Sequence, residues 1–220
     1  MSRSATDLAK YFIKNNYDYP RNTFDGNMKL QKMLYFSQLI HMARKGERLF
    51  SDNMYAFKNG TVIDNVRQVY QHNNDFLVIE ALNFNTDFDE VELESIKLAE
   101  KVFGHLDAAT LSDLNHQQYS WQVSYENSKD TYSSYHHKER SIIDEEVIRK
   151  YDLNKISDIL AVISEEDSSE EYEIVNGIKF YYDPESISID ENLLETLQSF
   201  HGDEEAYSIC FDEDNGYMIY

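Results

Sequence analysis

The chain has 220 residues and a formal net charge of −21, with 41% hydrophobic and 14% aromatic residues but only 7 Gly and 2 Pro. That length holds one full domain and a smaller one, and the composition excludes a disordered or fibrous chain. The single cysteine, Cys210, excludes an intrachain disulfide; its apolar neighbours Ile209 and Phe211 point to a small core residue. Met1-Ser2-Arg3-Ser4 leads into polar, helix-forming residues without an apolar h-region, so the expectation is a soluble, cytoplasmic protein with no membrane partner.

The N-terminal part reads as helices. Ser4 is positioned to cap the first, with Leu8, Ala9, Phe12 and Ile13 on one face. Pro20 and Gly26 break the pattern, and a long helix is predicted from about Asn27 to Lys45. Leu30, Met33, Leu34 and Leu39 form its buried stripe, and Gly46 is the stop. Gln31, Lys32 and Tyr35 fall beside that stripe. They read either as a contact or domain-locking patch or as a solvated face with Tyr35 at its edge.

Leu49 to Phe57 reads as extended, Lys58-Asn59-Gly60 as a turn, and Val62 to Tyr70 as a short helix. Phe76 to Leu82 is too short to assign by period. Asp87 or Asp89 opens a helix that Gly104 ends. Thr110 or Ser112 starts a short turn through His116, and Ser141 to Asp144 resembles a capping box before Val147, Ile148 and Tyr151.

Charge marks a boundary near residue 153. From there to the end the chain has 18 acids against Lys155 and Lys179, a net −16, while the preceding part carries only −5. Such a tail repels phosphate backbones, so strong nucleic-acid binding is not expected; it suits a basic protein surface, or simply solubility. Ile156 to Ile163 reads as a short helix and Glu165 to Glu171 as an acidic linker. Asn176-Gly177 marks a hairpin, Asp190 caps a helix, and two further strands close a ββαββ unit. The expected fold class is therefore α+β: a mostly helical domain over residues 1–152, then a small acidic α+β domain over 153–220.

Catalytic signals are weak. His136-His137-Lys138-Glu139 matches no metal spacing and reads as a surface loop. His116 with Asp113 at i, i+3 could orient an imidazole, a pairing better suited to a structural role. No phosphate-binding glycine loop and no nucleophile elbow occurs, so neither enzyme activity nor a cofactor is expected.

One resemblance goes further. Asn27-Met28-Lys29-Leu30-Gln31-Lys32-Met33-Leu34-Tyr35-Phe36 resembles the K-L-Q-K-L-L-Y-F signature of the Panacea domain, found in SocA-like antitoxins of toxin–antitoxin pairs. Gly46 to Phe50, Tyr55 to Val62, Leu111 to His116 with Trp121, and Ile142 to Tyr151 are similar to that family's further elements, in order, over about residues 1–152. Where the family has Trp and Pro, this chain has Phe57 and Thr61, which removes an indole donor and a fixed φ. The resemblance implies an antitoxin that binds a cognate toxin directly, encoded by an adjacent gene. It directs attention to Lys29, Gln31, Lys32, Tyr35, Phe57, Gly60, His116 and Trp121 as partner-binding positions. An acidic inhibitor or adaptor without a dedicated toxin is the alternative.

Overall fold

The computed structural model describes residues 3–85, 88–169, 171–184, 186–202, 204–212 and 216–220, the backbone alone over 164–169. It divides into two compact units, residues 1–157 and 158–220. The first is helical with a small hairpin and the second is strand-rich, so the fold class is α+β. No helix among the described residues is long and apolar enough to cross a membrane.

In the first unit, α1 (Ala5–Lys14) is capped by Ser4, whose side chain accepts from Thr6 N, and it buries Leu8, Ala9, Phe12 and Ile13 as the pattern predicts. Helix α2 (Phe24–Lys45) is the axis of this unit. It begins earlier than the sequence pattern predicts, because Thr23 caps it by accepting from Gly26 N at 3.0 Å. Gly26 is therefore no break: it lies in the first turn, where a Cβ would overlap the carbonyl oxygens of Asp18 and Pro20. Gly46 ends the helix at φ 72°, after Arg44 and Lys45 in the last turn.

A single buried stripe does not describe α2, since every residue from Gly26 to Met42 is buried except the half-buried Met28 and Lys29. A helix enclosed on all sides must satisfy its polar side chains internally. Gln38 does so by accepting from Leu49 N and Phe50 N at 2.9 and 3.1 Å, Ser37 by donating to Met33 O, and His41 through Ser95 Oγ at 3.0 Å.

A hairpin follows, β1 (Met54–Phe57) and β2 (Gly60–Ile63), antiparallel with Met54 opposite Ile63. Residues 141–143 add to its other edge, with Ala56 N donating to Ser141 O and Ile143 N to Met54 O. Helix α3 (Asp64–His72) and α4 (Asn74–Leu82) come next, so the ambiguous run after Phe76 is helical. Helix α5 (Glu90–Phe103) has a complete capping box between Asp89 and Glu92, while Asp87 lies outside the described residues.

Asp107 caps α6 (Ala108–His116), a longer element than the turn predicted from Thr110 or Ser112. Helix α7 (Tyr119–Ser128) lacks a cap from Gln118; instead the buried Asp152 accepts from Tyr119 N and Ser120 N at 2.8 and 3.1 Å. After a 3-10 turn at Lys138–Arg140, Asp144 caps α8 (Glu145–Tyr151). The predicted capping box from Ser141 is thus displaced: residues 141–143 are used in pairing to β1, and the helix starts only after them.

Helix α9 (Leu153–Ser169) carries the boundary between the units, and it runs through most of the stretch predicted as an acidic linker. The second unit then has β3 (Glu171–Val175), β4 (Ile178–Tyr182), α10 (Glu191–Ser199), β5 (Ala206–Asp212) and β6 (Gly216–Ile219) in one sheet of order β3-β4-β5-β6. Asn176 and Gly177 take φ 55° and 86°, the conformation a tight hairpin demands. Strands β4 and β5 are parallel, joined across α10, which Asp190 caps. Phe180, Tyr182, Leu193, Leu197 and Ile209 form the core, whereas Cys210 is only half-buried and is not a core residue.

Candidate functional site

The residues of the N-terminal signature converge on the outer edge of the hairpin. A strand edge presents N–H and C=O groups that need partners, and on β2 three side chains supply them. Gln31 Oε1 accepts from Ile63 N at 2.8 Å, and its amide nitrogen reaches Asn27 Oδ1. Lys32 Nζ donates to Thr61 O at 3.0 Å. Asn115 from α6 accepts from Thr61 N and donates to Thr61 Oγ1. On the other strand, Trp121 Nε1 donates to Phe57 O at 3.1 Å. The hairpin is clamped by α2, α6 and α7 through side-chain bonds to its backbone.

Gly60 makes the clamp possible. It opens β2 at φ 96°, and a Cβ there would lie 2.6 and 2.7 Å from Lys32 Cε and Nζ and closer still to Asn115 Oδ1. Lys32 is buried completely, and this burial pushes its ammonium down from 10.5 to about 7. His116 is also lowered, first by burial and then by Lys32, against the opposing pull of the Lys58 carbonyl. Burial, and after it the Asp152 carboxylate, push the Tyr35 phenol well above its ordinary value.

Beside this clamp lies a half-open cleft of about 590 Å³. The α2 residues Phe24, Met28, Gln31 and Lys32 form one wall and Phe57 and Lys58 of the hairpin form another. Arg67 of α3, Tyr125 of α7, and His136, His137 and Lys138 complete it. A column of rings runs inward from it: His136 stacks on Tyr125 with centroids 4.5 Å apart, Tyr125 on Trp121 at 4.9 Å, and Trp121 tilts against His116 at 4.2 Å. Asp64 ties Arg67 and Lys138 together. Burial pushes the Asp64 carboxyl up, but the hydrogen bonds and charges of those two cations outweigh it and hold it below its ordinary value.

The eight residues singled out by the resemblance therefore serve different places. Gln31, Lys32 and Phe57 line the cleft, and Gly60 and Trp121 hold the hairpin beside it. His116 is half-buried at the inner end of the ring column. Tyr35 is buried behind the clamp, and Lys29 is spent on Gly104 O at 2.8 Å. The solvated-face alternative for Gln31, Lys32 and Tyr35 is overturned, since all three are buried, Gln31 and Lys32 against the hairpin.

His136 and His137 lie in a surface loop, as expected, and each has a partner: His136 Nδ1 meets Ser128 Oγ at 2.7 Å, and His137 Nε2 meets Asp130 at 3.0 Å. Local patterns gave no signal for Phe24, Arg67 or Tyr125 as wall residues, because folding alone brings them together. Among the described residues, no three His, Cys, Asp or Glu side chains stand where they could hold a metal ion.

No curated protein and no solved structure matches the chain. Residues 30–122, which include most of α2, the hairpin, Asn115 and Trp121, match the model of a family described as antitoxin SocA-like, Panacea domain.

Proposed function

We propose that this protein is a non-enzymatic, cytoplasmic antitoxin that neutralises a cognate toxin by direct contact, the toxin being encoded by an adjacent gene. The family match over residues 30–122 carries this reading. The antitoxin domain extends over 1–152, and the acidic domain over 153–220 serves as a second contact. The clamp suits the task, because a contact surface held rigid in the free protein loses little entropy on binding. Gln31, Lys32, Tyr35, Gly60, His116 and Trp121 support the surface from behind; Phe57 and the exposed Lys58 at its turn meet the partner. Tyr132, 97% exposed, and Tyr135 stand on the neighbouring loop and suit an interface.

In the second unit, β3 and β6 expose Tyr172, Ile174 and Met218. Acidic groups there stand on α10 at Glu191 and Glu195, on β3 at Glu171 and Glu173, and in the turn at Glu204 and Glu205. These groups stand on separate elements, and the unit's excess of acids suits steering of a basic partner.

Co-expression with the adjacent reading frame tests this. The neighbour should arrest growth alone, and this protein should restore growth and co-purify with it. A harmless neighbour, or restored growth with no co-purification, would remove the direct-binding antitoxin reading.

A further inference from the structure

We propose that the cleft between α2, the hairpin, α3 and residues 134–141 is a binding site for a nucleotide, a small molecule bearing phosphate beside a planar ring. Its charge is the first argument. The chain carries −21, yet Lys32, Lys58, Arg67 and Lys138 line this one cleft with two imidazoles. Among the described residues, the carboxylates that contact this set are Asp64 and Asp130, and both stand outside the lining. Two partial neutralisations leave a cationic wall.

Lys32 is the second argument. An ammonium has three donors. This one is fully buried, its hydrogen bond goes to Thr61 O, and no carboxylate among the described residues pairs with it. Buried cations are ordinarily paired. With no such partner the amine gives up its proton near neutrality, and an anion seated in the cleft would hold it charged.

The third is shape and lining. A volume of about 590 Å³ falls in the range of small-molecule sites. Phe24, Phe57 and His136 bring rings to the lining for a planar group, His136 backed by Tyr125, and Arg67 already lies 5.8 Å from the Phe57 ring centroid. Polymers fit less well. A nucleic acid extends its phosphates beyond the cleft, and the chain as a whole carries −21. A peptide cannot add as a strand on β2, because Gln31 and Asn115 already occupy its outward N–H groups.

Titration calorimetry on the full chain at low salt tests the site without any toxin, so its failure is separate from failure of the antitoxin reading. The probes are ADP, GDP, UDP, inorganic pyrophosphate and a glutamate-rich peptide containing tyrosine. At least one nucleotide should bind about tenfold tighter than pyrophosphate, a difference that ring stacking can supply. Lys58→Glu, at an exposed turn, and Phe57→Leu should each weaken it by about tenfold or more; Lys97→Glu, an exposed charge on α5, should not. Three results would overturn the proposal: no nucleotide binding at millimolar concentration, equal weakening by Lys97→Glu, or pyrophosphate binding as tightly as every nucleotide. Peptide binding without nucleotide binding would also overturn it and give the cleft to a protein segment.

Discussion

Replacing Lys32 by methionine is expected to stabilise the protein at pH 6 and to weaken it at pH 10. The folded-state pKa of Lys32 is about 7, against 10.5 for an unperturbed lysine. Between those values the unfolded chain holds a proton that the folded chain lacks, so the Lys32 contribution to stability rises with pH across that window. Below about pH 7 the cost of the buried charge is present in full; above 10.5 it is gone. Each pH unit within the window changes stability by up to about 1.4 kcal/mol.

Over the window the wild type should therefore gain on the order of 4 kcal/mol relative to Lys32→Met. Against that stands the bond to Thr61 O, worth about 1 kcal/mol, which methionine loses at every pH. The two stability curves should cross on the alkaline side of neutrality. Urea unfolding of both proteins from pH 6 to pH 10 measures this, and parallel curves would show that Lys32 is not a buried, uncompensated cation.

Gly60→Val has the second large effect. The position combines a left-handed backbone with contact from Lys32 and Asn115. A β-branched residue at positive φ costs roughly 1–3 kcal/mol and overpacking costs a similar amount, so a loss on the order of 4 kcal/mol is expected. Gly46 separates the two causes. Its φ is 72°, and a Cβ there meets nothing within 4 Å, so Gly46→Ala should cost only about 1 kcal/mol. Thermal denaturation of both variants decides it. An equal loss at the two sites would mean that the contact between Gly60 and its neighbours contributes nothing.

These residues also mark how far the sequence could be read. Capping and turn chemistry are local, and they were legible: Ser4, Gly46, Asp89, Asn176-Gly177 and Asp190 do what their residue types demand. The clamp is not local. Gln31 reaches Ile63, 32 positions away, and Asn115 reaches Thr61, 54 positions away, so no periodicity within α2 or α6 marks them as interior. Their polarity points outward when read alone.

The same reason explains the displaced cap at Asp144. Ser141 to Ile143 has the form of a helix start, but it is claimed by pairing to β1, which the local sequence does not contain. Of the cleft, the clamp residues were carried by the family signature. Arg67, Tyr125 and Phe24 come from three separate helices, and only the fold joins them.

On the proposed reading this chain silences a toxin by holding it, without altering it. The most direct measurement is calorimetric titration of the purified adjacent-gene product into the full chain, with the intact mass of that product recorded before and after neutralisation. Saturable binding at a fixed stoichiometry and an unchanged mass are expected. Neutralisation without saturable binding, or a toxin whose mass has changed, would contradict it.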